Sequence, residues 1–290
     1  MSDFIITADS TVDLPKTYLD ENCITVMSLS YILDGTTYED MDERMSREKF
    51  YAMVRGGAMP TTSQINPEQA YDTFKSLSVQ GKDILHIGFS SGLSGSYNSA
   101  RIAAEQLMEE DKSVHIHVID SLCASMGEGL LLYKVVELRK QGKDIGEVLA
   151  WLDENILHVC HNFTVDDLNH LHRGGRVSKA TAILGTMVNI KPILHVDDAG
   201  HLINIDKTRG RKKSLTALVN RMAEQIRGFE DQNDMVMISH GDCIEDAEYV
   251  KKQVEERFGL HNFMINHVGP VIGTHSGPGT IALFFMGNPR

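Results

Sequence analysis

Residues 84–96 read ILHIGFSSGLSGS and pass from a short apolar run through a serine-rich turn into a helical pattern. The run Ile84–Phe89 predicts a buried strand, and Tyr97–Met108 is predicted to be the helix that follows it. The neighbouring segments repeat this alternation of strand and helix, at Phe4–Ala8, Thr25–Leu33, Pro67–Ser78, Val114–Ile119, Met126–Lys140 and Ile145–Leu157. Strands separated by helices of this length need crossover connections, so we predict a mostly parallel sheet flanked by helices.

The pattern changes after about residue 158. Ile190–Val196 and His201–Lys207 are joined by a short Asp/Gly segment, which is typical of an antiparallel hairpin. Further helices and strands are predicted at 178–186, Ser214–Arg227, Met235–Ser239, Ile244–Phe258, Phe263–His267 and Thr280–Met286. We therefore predict an α/β protein of two domains, with the parallel sheet in residues 1–158 and an α+β domain with a mixed sheet in residues 159–290. The ligand is expected in the cleft between them.

The charge and cysteine content limit the classes of function. The 290 residues include 28 Lys and Arg against 40 Asp and Glu, a net charge of −12. Such a surface repels phosphate backbones, so we expect no nucleic-acid partner. The four cysteines are scattered and the N-terminus carries no leader pattern, so a reducing cytoplasmic compartment is expected. There is no Walker A sequence, no G-x-G-x-x-G and no metal-ligand spacing, so we expect no nucleotide, cofactor or metal in this chain.

Three hydroxyl-rich or glycine-rich segments could bind an anion. Gly88–Ser96 supplies serine hydroxyls and leads into a helix, whose free N–H groups favour negative charge. Pro60–Gln64 is predicted to be a second hydroxyl-rich loop, between two helices. Gly273–Gly279 is predicted to be a glycine-rich loop in which His275 is exposed and available for acid–base work or an anion contact. Ordinary capped turns would have the same composition, but together these segments could surround a carboxylate with neutral donors.

The segment from Gly88 to Gly92 also fits G-x-S-x-G, with Ser90 at its centre. This is the nucleophile elbow of serine esterases, and it lies in the strand–turn–helix setting that the elbow needs. Asp120 and His275 follow downstream and could complete a triad. The sequence has no His-Gly-Gly-Gly oxyanion segment, and its second half lacks the strand order of an α/β-hydrolase, so a serine hydrolase is the second hypothesis.

Two basic segments stand out in this acidic chain. Lys207–Lys213 contains five basic residues and is either a solvated helix start or a contact for phosphate or an acidic partner. Arg173–Arg176, which reads RGGR, is either a phosphate loop or a tight turn.

Taken in order, these segments resemble the DegV family of bacterial fatty-acid-binding proteins. The matching segments are Asp9–Thr11, Thr61–Gln64, Ser90–Ser96, Arg173–Arg176, Asn189–Pro192, the basic stretch around Arg209, and Gly273–His275. The resemblance implies a two-domain α/β protein that holds one long-chain fatty acid. Its carboxylate would meet the threonine and serine loops, with Ser94 as the direct contact.

The resemblance also implies individual roles. The ligand-binding residues would be Thr61, Thr62, Ser63, Ser91, Gly92, Ser94, Gly95 and His275. Thr62 is preferred to Thr61 because it directly precedes Ser63 and Gln64, as in the family's Thr-Ser-Gln. Arg209, with Arg211 as the alternative, and His275 would engage a kinase partner or the transferring phosphate.

That partner would be the ATP-binding subunit of a fatty acid kinase, which phosphorylates the bound carboxylate to an acyl phosphate for phospholipid metabolism. This chain would then be a lipid-binding subunit without catalysis of its own, with at most a transient membrane contact. A lipid-sensing regulatory protein without a catalytic partner would use the same binding residues, so that alternative stays open.

Overall fold

The computed structural model describes residues 4–178 and 189–290, so all of the helix predicted at 178–186 except Ser178 lies outside the described residues. The strands are β1 (Ile5–Asp9), β2 (Thr25–Met27), β3 (Ser30–Leu33), β4 (Thr36–Glu39), β5 (Thr61–Ser63), β6 (Ile84–Gly88), β7 (Ile116–Asp120), β8 (Val159–Thr164), β9 (Ile190–Val196), β10 (Leu202–Arg209), β11 (Val236–His240), β12 (Phe263–His267) and β13 (Ile281–Met286). The α-helices are α1 (Lys16–Glu21), α2 (Arg47–Arg55), α3 (Pro67–Ser78), α4 (Ser96–Glu110), α5 (Met126–Lys140), α6 (Ile145–Asn155), α7 (Leu168–Arg173), α8 (Arg211–Gln225), α9 (Ile244–Phe258) and α10 (Pro270–Ser276).

The first half of the chain contains the predicted parallel sheet. Its strand order is β2-β1-β6-β7, and every neighbouring pair is parallel. All five residues of β6 are buried, as expected for a strand covered on both faces. Helices begin where the sequence supplies caps: the Asn66 side chain accepts from Gln69 N–H, and the Ser46 side chain accepts from Lys49 N–H. The α/β prediction for this half is confirmed.

A small antiparallel sheet, ordered β4-β3-β5, was only partly foreseen. The hairpin of β3 and β4 follows the prediction, but Thr25–Leu33 is not one strand: it divides at Ser28 and Leu29 into two strands that join different sheets. The prediction of a loop at Pro60–Gln64 is also wrong, because Thr61–Ser63 is a strand paired with β3. Three residues are too few to show a strand period, and their partner lies about thirty positions away.

The second half contains the mixed sheet. Its order is β10-β9-β8-β13-β11-β12, in which only the β11–β12 pair is parallel. The hairpin predicted around Asp197–Gly200 joins β9 to β10. A single apolar core connects this sheet to the parallel one, with Ile6 and Leu130 from the first half and Phe284 from the second. The boundary near residue 158 stays a prediction.

Helix α10 replaces most of the glycine-rich loop that was predicted at Gly273–Gly279. Pro270 occupies its first turn, where the missing N–H group costs nothing. The backbone N–H groups of Gly269 and Val271 donate to the buried carboxyl groups of Asp13 and Asp40, each at 2.8 Å. These carboxyl groups come from the first half of the chain, so the start of α10 depends on a contact more than two hundred residues away.

Candidate functional site

A cavity of about 400 Å³ lies between the two halves of the chain. Its volume falls within the usual range for small-molecule pockets, about 300–1,000 Å³. Apolar side chains from both halves form much of the wall, among them Leu29, Phe89, Leu93, Phe163, Val271 and Phe284. The cavity lies in the cleft where the sequence predicts a ligand.

The floor of the cavity is one face of the mixed sheet. Phe163, Ala282 and Ser239 lie in one row across the strands β8, β13 and β11. His161 and Phe284 form the next row on the same face, two residues further along each strand. Two residues of a strand span about 7 Å, so the floor extends about 7 Å along the strands and crosses three of them.

One part of the wall is polar, and its hydroxyl and imidazole groups are neutral. Thr62, Ser94 and His275 all line the cavity there. Thr62 Oγ1 lies 2.9 Å from His275 Nε2, and the Ser94 and Ser96 hydroxyl oxygens lie 3.0 Å apart. Gln64 Oε1 accepts from the Gly95 N–H at 3.2 Å, which holds the threonine strand against the serine turn. Hydroxyl groups and an imidazole thus converge on one region.

His275 is half-buried at the end of α10, so the expectation of an exposed loop histidine is wrong. Gly174 packs against its ring so closely that an added Cβ atom would lie 2.1 Å from Nδ1. Burial, together with the guanidinium groups of Arg176 and Arg173, lowers the pKa of His275 to about 4. The imidazole is therefore neutral at pH 7 and can contact an anion only through an N–H group.

Arg176 is the cation in this part of the wall that the sequence did not assign to the site. Its Nε and Nη2 atoms donate to the Leu93 carbonyl at 3.2 and 3.0 Å, and Nη1 donates to the Gly174 carbonyl. Of the two readings of the RGGR segment, the tight turn fits, since Gly174 and Gly175 N–H groups close turns on α7. The guanidinium group fixes the serine turn in place and is already engaged with two carbonyl groups.

The model of the DegV family matches residues 3–288 of the chain. This chain belongs to the DegV family. A DegV domain-containing protein of Clostridium perfringens is 41% identical over 291 residues, which cover 100% of this chain and 99% of the relative. A DegV domain-containing protein of Lactococcus lactis is 39% identical over 282 residues, covering 97% of this chain and 96% of the relative.

Solved structures of the DegV family share the fold over the whole chain. A stearic-acid-binding protein from Eubacterium ventriosum has a TM-score of 0.90 at 27% identity and covers 99% of both chains. A fatty-acid-binding DegV family protein from Thermus thermophilus has a TM-score of 0.86 at 27% identity and covers 98% of this chain and 99% of its own. Within the described ranges, 4–178 and 189–290, no helix is both long and apolar enough to cross a bilayer.

The residues assigned from the DegV resemblance divide into two groups. Thr62, Ser63, Ser94 and His275 line the cavity, together with Gln64. The remaining assigned residues, Thr61, Ser91, Gly92, Gly95 and Arg209, are not part of the cavity wall.

Those remaining residues nevertheless have clear structural settings. An added Cβ atom on Gly92 would lie 2.8 Å from the Ala199 carbonyl oxygen, so only glycine fits the contact between the serine turn and the β9–β10 hairpin. Ser91 N–H donates to Asp120 Oδ1 at 3.1 Å. Arg209 is exposed at the end of β10, whereas Arg211 is held by Asp246 at 2.8 Å. Of the two arginines, Arg209 is the one whose side chain faces solvent.

Ser90 has the wrong environment for an esterase nucleophile. Its side chain is fully buried and is absent from the cavity wall. The hydroxyl group donates to the Gly200 carbonyl at 2.9 Å and accepts from the Gly92 N–H at 3.2 Å. A nucleophilic serine needs a neighbouring base and access to substrate, and this hydroxyl group is bonded only to backbone.

Sequence reasoning also missed the cavity residues Ser125 and Ser239. Ser125 precedes α5 with a φ of 54°, and Ser239 lies within β11; both are buried and line the cavity. Ser125 donates to the Asp13 carboxyl group and lies 2.9 Å from Ser239 Oγ. The available signal for Ser125 was the run Ser121–Ser125 between β7 and α5, which reads SLCAS and resembles the serine turn after β6.

Proposed function

We propose that this chain binds one long-chain fatty acid in the cavity, with the carboxylate against Thr62, Ser94 and His275. The observation that carries the proposal is the pairing of hydroxyl and imidazole groups at one part of the wall with apolar side chains from both halves over much of the rest. The related proteins from Eubacterium ventriosum and Thermus thermophilus, which bind stearic acid and fatty acid, support it.

The binding energy expected from the tail is sufficient for this role. Each buried methylene group contributes about 0.8 kcal/mol, so a sixteen-carbon chain gains on the order of 10 kcal/mol before ordering costs. Submicromolar binding follows even when the head group adds little, since a Kd of about 1 μM corresponds to about −8 kcal/mol.

The hydroxyl and imidazole groups of the head-group site are neutral, and the Arg176 guanidinium group is engaged with the Leu93 and Gly174 carbonyl groups. This arrangement suits a carboxylate that must still react. An arginine clamp would draw charge from the carboxylate oxygens, whereas hydroxyl groups and a neutral imidazole leave them nucleophilic. We propose that a carboxylate oxygen attacks the γ-phosphorus of ATP held by a separate kinase subunit. The bond between that phosphorus and the β–γ bridging oxygen breaks, so that ADP leaves and an acyl phosphate remains in the cavity.

The surface contact with that subunit is proposed to include Arg209, whose exposed guanidinium group could meet phosphate or an acidic surface. The four cysteines are free thiols, which supports a reducing, cytoplasmic setting where ATP is available.

The first experiment is native mass spectrometry of the protein purified from bacteria, followed by solvent extraction and lipid analysis. We expect one adduct per chain that extracts as a long-chain fatty acid. A ligand-free mass that stays unchanged after incubation with oleate would refute the proposal of fatty-acid binding.

The Ser94→Ala variant then tests the head-group site. We expect weaker fatty-acid binding and loss of acyl-phosphate formation when the ATP-binding subunit is added. Ser76→Ala, on the exposed face of α3, is the matched control and should behave like the wild type. Capture of an ATP-binding protein by this chain from an extract of the same bacteria tests the kinase step. If none is captured, the kinase step is refuted, and lipid sensing without a catalytic partner takes its place.

A further inference from the structure

Ser96, the first residue of α4, lies next to Ser94, the proposed carboxylate contact. The side chain of Ser96 is fully buried and is not part of the cavity wall, so it does not face the ligand itself. Its hydroxyl oxygen lies 3.0 Å from Ser94 Oγ, and its backbone N–H donates to that same oxygen at 3.2 Å. Ser96 therefore contacts the Ser94 oxygen through two separate groups.

The partners of the Ser96 hydroxyl group decide which way its hydrogen can point. The Ile65 N–H donates to Ser96 Oγ at 3.3 Å, and a backbone N–H can only donate. In residues 4–178 and 189–290, the Ser94 oxygen is the one acceptor in contact with the Ser96 hydroxyl group. Without a ligand, either serine can donate to the other, because each hydroxyl group has one hydrogen and two lone pairs.

A bound carboxylate fixes the direction of this hydrogen bond. The oxygens of an ionised carboxylate only accept, so Ser94 must give its single hydrogen to the ligand. Ser96 must then donate to Ser94, and the Ile65 N–H begins a chain of hydrogen bonds that all run toward the carboxylate. Each bond in such a chain polarises the next one and strengthens it. Both lone pairs of Ser94 are then filled by Ser96, so Ser94 cannot accept a hydrogen from a ligand.

We propose that Ser96 is a positioning residue that makes Ser94 a hydrogen-bond donor, and that the pair thereby selects an ionised carboxylate over an uncharged head group such as that of a fatty alcohol. The proposal rests on the proposed function and deepens it. A charge-assisted bond is roughly twice as strong as a neutral one, so the oriented Ser94 hydroxyl group favours the anion. The hydrogen of an alcohol head group, in contrast, finds no acceptor on Ser94.

The test measures displacement of a fluorescent fatty acid from delipidated protein by oleate and by oleyl alcohol. In Ser96→Ala we expect oleate to bind about threefold to tenfold more weakly, which corresponds to the net contribution of one hydrogen bond. Oleyl alcohol should bind this variant at least as tightly as the wild type, because its hydroxyl group can donate to the lone pair that Ser94 regains. Ser96→Thr keeps the hydroxyl group and should keep the preference for oleate.

A double-mutant cycle separates this role from a purely structural one. If Ser96 acts through Ser94, adding Ser96→Ala to the Ser94→Ala variant should leave its already weaker affinity for oleate unchanged. Ser214→Ala is the matched control, because Ser214 is also a buried serine in the first turn of a helix and lies outside the cavity wall. Its hydroxyl group donates to the Arg211 carbonyl at 2.8 Å, so both affinities should stay at the wild-type level.

The proposal is overturned if Ser96→Ala weakens oleate and oleyl alcohol by the same factor, since the serine would then only hold the turn in place. An equal loss of oleate affinity with and without the Ser94 hydroxyl group, or no loss at all, overturns it as well. Should Ser96→Ala fail to fold, Ser96→Cys supplies only a weak donor and carries the same expectation. Failure of oleate to bind the wild type would instead refute the proposed function.

Discussion

Gly174→Ala should weaken fatty-acid binding through a single steric contact with His275. The added Cβ atom would lie 2.1 Å from Nδ1, whereas ordinary contact begins at 3.4 Å, so the ring must move by about 1.3 Å (3.4 − 2.1). The hydrogen bond between Thr62 Oγ1 and Nε2, now 2.9 Å, cannot survive a shift of that size. A displaced ring also cannot keep its proposed hydrogen bond to the carboxylate. Loss of that one bond costs about 1 kcal/mol, so we expect affinity for oleate to fall about fivefold.

The backbone conformation at residue 174 accommodates alanine. Gly174 has φ −74°, which alanine adopts without strain, so the effect should fall on His275 rather than on folding. Gly146→Ala in α6 is the matched control, because its nearest contact is an exposed Asp144 oxygen at 3.3 Å. The measurement is displacement of a fluorescent fatty acid, with thermal unfolding in parallel. Wild-type affinity in Gly174→Ala would show that the His275–Thr62 pair contributes nothing to carboxylate binding.

Two further predictions concern Asp13 and Ser90. Burial and the neighbouring Asp40 raise the pKa of Asp13 to about 8 from 3.8, so between those values the folded chain keeps a proton that the unfolded chain loses. This group therefore lowers the free energy of unfolding progressively as pH rises from about 4 to 8. In Asp13→Asn the decline of that free energy with pH, measured by urea unfolding, should be shallower than in the wild type. Parallel curves of unfolding free energy against pH for the two proteins would contradict the prediction. A fluorophosphonate probe should leave Ser90 unmodified in intact-mass and peptide mapping, because its hydroxyl group is buried and bonded to backbone. A Ser90 adduct would revive the esterase hypothesis.

Segments with a strong local pattern could be predicted from the sequence. The parallel strands are continuous apolar runs, and the β9–β10 hairpin is marked by its Asp/Gly turn, so both were recognised. The sequence also predicts ligand contacts in the serine turn after β6 and at Thr62, and Thr62 and Ser94 both line the cavity.

The errors arise where distant contacts decide the local structure. Gly273–Gly279 has the composition of a loop, yet Pro270–Ser276 is helical because Asp13 and Asp40 satisfy its first N–H groups. His275 was expected to be exposed because its chain neighbours are small, but Gly174 of another segment covers it. Ser239 was unremarkable within a buried strand, and only the sheet register shows that it faces the cavity.

Helix α10 connects these observations to function. Its start is capped by carboxyl groups of the first half, and its end places His275 and Ser276 in the cavity wall. The proposed carboxylate site therefore needs both halves: Thr62 and Ser94 come from one, and His275 is held in position through contacts with Asp13 and Asp40 from that same half. Because the apolar core also runs across residue 158, the cavity forms only when the two halves pack together. A disturbance at the Asp13 contact should thus reach the ligand through α10, although neither Asp13 nor Asp40 lines the cavity.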